Sequence, residues 1–488
     1  MKRRAETGRQ QNAIKVWVSA KSDFDKSVRR LNSALASGAA ENLQTVWEAS
    51  RSAQARLTVA EQGLTSSFQN DLNSLGGSEL VKKVQSVLEQ DEVAVSLMPT
   101  RYAVYAVVIT KEAAVLRYAP ITDVELVERI RALRLALEPA TSSQAPQSIP
   151  VAALLAMRPY TTGLFEPEAR SKRRWIVFSH DILRNVPIEA IPIDPDISDR
   201  PEDVATNAKS WPGLGKEIGY LPNLAALVDL RSNFPPSKAV RPVWAMADPI
   251  LPGDPRYDNR LAAVAGDLSD WFRRTRLSLG LNHWLGDAQL VPVPETSRLA
   301  ADAVSVLGGA AVDLHAGRNA TTEAITSRQD IENSKVLIFA THGETAESYP
   351  LVGEPFLVFT SREKSPLGFD PLVASEIAKL SLDAEIVFLS ACSTAAADGT
   401  PARAGFSGLA DAFLSAGARS LVVTEWKVQT GPAHQVVLKS LDSAIHGQAA
   451  SGEAVRSARL EVAKRYGHPA VWSAFVYIGD PGHHWMVK

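Results

Sequence analysis

The chain predicts an α/β fold, a mainly parallel sheet with helices on both faces, preceded by a short α-helical N-terminal region. Three observations carry this expectation. The first ninety residues are poor in proline and space their apolar residues by three and four. From "VAVSLMP" onward, short apolar runs alternate with helical stretches, the order that builds a parallel sheet covered on both sides. Several of those runs then pass through small or polar residues to a reactive or charged side chain, as in "LIFATHG", "VFLSACS" and "SLVVTEW".

Taken in order, "VWVSAKSDFDKSVRRLNSALA" and "LVKKVQSVLEQ" read as amphipathic helices, with "ASGAAEN" and "LGGSE" punctuating their ends. Two to four helices are expected over residues 1–91, without a clear internal repeat. They read equally as a module for partner binding or regulation and as packing support for the next domain. "YAVYAVVIT" and "AVLRYAPI" read as adjacent strands, and "TDVELVERIRALRLALE" as a helix capped by its threonine. "PATSSQAPQSIP" has the composition of a linker. "RRWIVFSHDILRNVPIEAIP" gives a strand and a turn, and "PVWAMADPI" a strand from Val243 to Met246. "LAADAVSVLGGAAVDLHAGRNATTEAITSRQ" gives helix, strand and helix, and "FSGLADAFLSAGARSLVVTEW" helix and strand.

Composition excludes several functions. With 488 residues, 45% of them hydrophobic, the chain can bury a large core and is long enough for roughly three domains. A net charge of −2 gives no basic footprint for nucleic acid. No apolar stretch is long enough to span a bilayer, and no apolar run follows the basic start "MKRRAETGRQQ". A cytoplasmic chain with no membrane partner is therefore expected. The single cysteine permits neither an intrachain disulfide nor a thiolate zinc cage, and no cofactor or metal is expected. There is no Gly-x4-Gly-Lys-Ser/Thr loop, and "LGGAA" supplies no dinucleotide fingerprint.

In open α/β sheets, sites form beyond the carboxyl ends of the strands. That rule selects His342, Cys392 and the pair Glu425 and Trp426. A thiol is mostly protonated at neutral pH, and a neighbouring imidazole that takes its proton makes it a nucleophile toward a carbonyl carbon. Gly343, with no side chain, would let a substrate carbonyl approach its N–H, which with the N–H of Cys392 could form an oxyanion hole. Each residue alone has an ordinary reading, an inert buried thiol or a turn histidine. The substrate pocket has carboxylate candidates in Asp370, Asp398 and Glu425, and cation candidates in Arg403 and Arg419.

In this order, "LIFATHGE", "IVFLSACSTA", "GLADAFLSAGARSLVVTEWKV" and "HPAVWSAFVYIGD" resemble the CHAT family of caspase-like cysteine peptidases, relatives of separase and the caspases. "WIVFSHDILRNVPIEAIP", "IGYLPNLAAL" and "VPETSRLAADAVSVLG" are similar to earlier family segments, so the resemblance runs from about Val93 to Gly479. It implies a caspase-hemoglobinase fold and a cysteine endopeptidase, with His342 as general base and Cys392 as nucleophile. The gap of 392 − 342 = 50 residues matches the caspase spacing. With the helical N-terminal region over 1–91 set by its periodicity, the resemblance further implies an N-terminal half over 92–240 that is a degenerate caspase-like unit, and a catalytic domain over 241–488. Family members are often linked to bacterial stress, defence or programmed cell death. The expected partners are a protein substrate and a regulatory protein bound through the N-terminal helices.

Two departures stand out. The family usually continues after "SLVVTEW" with an acidic turn, where this chain has "KVQTGPA". A long tetratricopeptide array often precedes the family's peptidase, where about ninety helical residues stand here. A catalytically silent scaffold is the chief alternative to a peptidase, although it would have no need of both His342 and Cys392. A thioesterase comes third, in the absence of a Gly-x-Ser-x-Gly elbow.

Overall fold

The computed structural model describes residues 77–137, 148–257 (less 167), 290–345 (less 327 and 328), 349, 352–361, 367–390, 408–426 and 428–486, with helical residues scattered between 15 and 60. The linker at 138–147 and the stretch holding Cys392, Asp398 and Arg403 lie outside the described residues.

Helix α1 (Gly77–Val87) leads into strand β1 (Glu92–Pro99), and β2 (Ala103–Ile109) and β3 (Ala114–Pro120) come next as hairpin partners. Helix α2 (Asp123–Leu137) starts where its sequence predicts, with the Thr122 hydroxyl accepting from the Glu125 N–H at 3.2 Å. Then come β4 (Arg174–Ser179), β5 (Glu217–Tyr220), α3 (Leu224–Asn233), β6 (Arg241–Pro249), α4 (Thr296–Val306), β7 (Leu314–Gly317) and β8 (Ser334–Ala340). The short strands β9 (Gly343–Glu344), β10 (Phe356–Phe359) and β11 (Asp370–Val373) form a separate three-stranded sheet. Strand β12 (Ile386–Leu389), α5 (Gly408–Ala416), β13 (Leu421–Thr424), α6 (Thr430–Ile445), α7 (Ser451–Tyr466) and β14 (Phe475–Ile478) complete the chain.

The main sheet has 11 strands in the order β3-β2-β1-β4-β5-β14-β13-β12-β8-β6-β7. It is antiparallel at the β1–β2–β3 end and between β13 and β14, and parallel at every other pairing. The expected α/β class with a mainly parallel sheet is therefore borne out. Strand β1 shows how both faces become buried: Val93, Val95 and Leu97 belong to the main core, which also takes in Leu126, Ile130 and Leu133 of α2, while Ala94 belongs to a second core with Val84 of α1 and Leu227 of α3. Among the described residues, no helix is long and apolar enough to cross a membrane.

Strand β14, near the end of the chain, lies between β5 and β13 and so joins the early strands to the later ones. Here the backbones come so close that only glycine fits. A Cβ on Gly219 would lie 2.4 Å from the Gly479 carbonyl oxygen, and Gly479 itself has φ +149°. Beneath the seam, Arg459 of α7 bonds Glu189 at 3.1 Å and the Phe475 carbonyl at 2.9 Å, while the Tyr220 hydroxyl donates to Glu189 at 2.8 Å. All three side chains are buried; burial pushes the Glu189 carboxyl up and the Arg459 guanidinium down. Above it, Arg231 of α3 grips Asp480 at 2.6 and 2.8 Å and Glu92 at 2.5 and 2.8 Å.

Burial alone would raise the Asp480 carboxyl, but the Arg231 guanidinium outweighs it and holds the group below the usual carboxylate range. A depressed carboxylate contributes stability above its unfolded pKa and loses it as pH falls through the folded value. Urea unfolding should therefore show stability declining below about pH 4. Asp480→Asn should be less stable at neutral pH and show a shallower acid decline.

Candidate active site

At the carboxyl end of β8 the chain leaves the large sheet and enters the small one. Thr341 is buried and donates its hydroxyl to the Val358 carbonyl at 2.7 Å, and the Val358 N–H donates to the His342 carbonyl at 3.0 Å. His342 thus sits at the junction of two sheets, half-buried, with its backbone tied to β10. Antiparallel pairs alternate, so the next residue, Gly343 opposite Leu357, turns its own N–H away from β10. An oxyanion donor has to face outward in this way.

The imidazole is oriented by a backbone group. His342 Nε2 lies 2.7 Å from the carbonyl oxygen of Val291. A carbonyl only accepts, so Nε2 carries the proton and, in the neutral ring, Nδ1 carries the lone pair. The segment "VPVPET" makes this carbonyl a fixed one, because each residue before a proline is driven to an extended conformation. Its far end is pinned: Thr296 donates its hydroxyl to the Val293 carbonyl at 2.7 Å and accepts from the Asp248 N–H at 3.0 Å. Sequence reasoning missed Val291, and no signal could have found it, since a main-chain oxygen leaves no mark on residue type.

Strand β12 runs parallel to β8 at a constant offset of 50 residues, from Ile386 opposite Val336 to Leu389 opposite Phe339. The ladder extends one step further, with the Ser390 N–H donating to the Phe339 carbonyl at 2.9 Å. Cys392 comes three residues after Leu389, as His342 comes three after Phe339.

The pocket candidates are dispersed. Asp370 opens β11 and accepts from the Ser361 hydroxyl at 2.8 Å. Glu425, just past β13, is buried, and Arg134 of α2 bonds both its carboxylate (2.7 Å) and its carbonyl (2.8 Å). The same guanidinium lies 4.9 Å from the centre of the Trp426 ring, whose indole N–H donates to the Ala470 carbonyl at 2.8 Å. Arg134 went unnoticed in the sequence because it lies 291 residues from Glu425 and sits in an ordinary helical pattern. Arg419 requires a correction. It precedes β13 and so lies at the amino end of that strand, the opposite rim, where it pairs with Asp383 at 2.9 Å and donates to the Pro235 carbonyl at 3.0 Å. Among the described residues, no group of three or more His, Cys, Asp or Glu side chains could hold a metal ion.

Removing the arginine would take from the buried Glu425 carboxylate the guanidinium that bonds it at 2.7 Å. Arg134→Ala should therefore cost about 3 kcal/mol in urea unfolding. Adding Glu425→Gln to that variant should recover part of the loss, the mark of a coupled pair.

A family model described as "CHAT domain" matches residues 149–480. Over 112 residues the chain is 32% identical to Tetratricopeptide repeat protein 28 of Mus musculus, covering 22% of this chain and 4% of that protein. Among solved structures it is similar to a chain in the crystal structure of the Saccharomyces cerevisiae separase–securin complex. That match has a TM-score of 0.42 and 10% identity, and covers 90% of this chain and 34% of the other. The chain thus spans only a minor part of each of these relatives.

Proposed function

Because the chain belongs to the CHAT domain family, we propose that it is a cysteine endopeptidase in which His342 and Cys392 form the catalytic dyad. The observation that carries this reading is the constant 50-residue offset between β8 and β12, which equals the separation of His342 and Cys392 in sequence. Neighbouring strands lie about 4.8 Å apart, so two residues leaving them in step start as neighbours.

On this reading, His342 Nδ1 takes the proton of the Cys392 thiol, and the thiolate sulfur attacks the carbonyl carbon of the scissile peptide. The N–H groups of Gly343 and Cys392 stabilise the oxyanion as it forms. The imidazolium then returns its proton to the departing amine, leaving a thioester that water hydrolyses with His342 again as base. The Val291 carbonyl favours this sequence by holding the ring's other proton and stabilising the imidazolium between steps.

Asp370 and Asp398 are the pocket carboxylates of this reading, with Trp426 as an apolar wall. Glu425 would have to exchange Arg134 for a substrate cation. Residues 241–488 make the catalytic domain and 92–240 a degenerate caspase-like unit. The helices of residues 1–91 receive a regulatory protein in a cytoplasmic stress, defence or cell-death response.

Wild type, Cys392→Ala and His342→Ala should be compared on a diversified peptide library and on whole-cell lysate, with new N-termini read by mass spectrometry. Wild type alone should cut, clustered on one P1 residue type, and each variant should lose at least about a thousandfold in rate. Absence of cleavage, with Cys392 also inert toward an electrophilic peptide probe, would leave the scaffold reading in its place.

A further inference from the structure

The outermost strand of the large sheet, β3, has no neighbour on its far side among the described residues. Its sequence, "AVLRYAP", is a poor shield for an open edge, with a single charge at Arg117 that is turned inward to Glu168 at 2.5 Å. Every second residue is exposed, and the large ones are apolar: Leu116 is 64% and Tyr118 66% accessible. They share a face with Val107 and Tyr105 of β2, and the Tyr105 and Tyr118 rings lie 5.9 Å apart.

The hydrogen bonds at the ends of the β2–β3 hairpin fix which backbone groups of this edge are free. The Ile121 N–H donates to the Tyr102 carbonyl and the Thr110 N–H to the Ala113 carbonyl. Antiparallel pairs alternate, so Val115, Arg117 and Ala119 turn their backbone groups toward β2. Ala114, Leu116 and Tyr118 therefore present theirs to the open edge.

We propose that this edge pairs with the β3 strand of a second copy of the chain about a two-fold axis at Leu116. That axis sets Leu116 against its own copy and Ala114 against Tyr118 of the partner subunit, so Ala114, Leu116 and Tyr118 each exchange both backbone hydrogen bonds, while Pro120, the fourth outward residue, has only a carbonyl to offer. It also matches side chains by size, the small Ala114 receiving the Tyr118 ring and the two Leu116 side chains meeting. Arg117 comes opposite Val115 of the partner subunit, so no like charges face each other. Moving the axis one residue toward Ala114 leaves Tyr118 paired beyond the strand. Moving it one residue the other way sets Ala114 against Pro120, which has no N–H to give. One register therefore satisfies the edge, and it is self-complementary, as a two-fold interface requires. The two 11-stranded sheets then become one.

The test is sedimentation equilibrium of the full chain over a range of micromolar concentrations. Wild type should show twice the 52.6 kDa monomer mass, and Leu116→Lys should raise the dimer Kd at least about tenfold. Leu135→Lys, at another exposed leucine (74% accessible), should leave the Kd unchanged. Amide exchange at Leu116 and Tyr118 should slow as concentration rises, while Val115 and Arg117 stay protected throughout. A wild type that remains monomeric, or a dimer indifferent to Leu116→Lys, overturns the proposal; an edge reserved for an extended peptide would give the monomer.

Discussion

Strand β14 is hydrogen-bonded to β13 on one side and touches β5 on the other, and both halves of the large sheet hang on that insertion. It is only four residues long, so the neighbouring groups must hold it. Glycine at 219 and 479 allows the backbones to close on each other, Arg459 and Glu189 fill the space beneath, and Arg231 ties Asp480 to Glu92 above. A buried pair of this kind adds little net stability compared with apolar packing, but removing either partner leaves the other charge stranded. The arrangement therefore penalises any other placement of the last strand more than it rewards the native one.

The same economy governs the rim where His342 stands. Its position is set by sheet register and by a switch from one sheet to another, its ring by a main-chain oxygen from a proline-stiffened segment. Across the rim, Arg134 brings α2 against Glu425 and Trp426, so an element from the early part of the chain braces the strand end beside β12. A change in the position of α2 would be felt there without passing through the sheet.

Much of the architecture was legible because buried parallel strands read as continuous apolar runs. β8, β12 and β13 are such runs, and the Thr122 cap of α2 was evident from its position. What escaped the sequence was non-local or too small to have a period. Strand β5, "EIGY", is four residues with a charge at its head, and β9 is two residues whose pairing is decided by β10. That β14 would lie between β5 and β13, rather than at an edge, depends on partners more than 50 residues away from it. Arg419 was assigned to the wrong rim for a simple reason. A helix–strand junction and a strand–loop junction lie at opposite ends of a parallel strand, and the residue belongs to the first.

The Val291 carbonyl has a consequence for how this protein can vary. What reaches His342 there is the path of the chain, while the valine side chain itself is largely in solvent. A scan of side-chain replacements would pass over position 291 as indifferent. Insertion or deletion of one residue between Val291 and Thr296 would instead draw the oxygen away from the ring. Tolerance to substitution and tolerance to length change are thus uncoupled in this segment, and a map of the first would conceal the second.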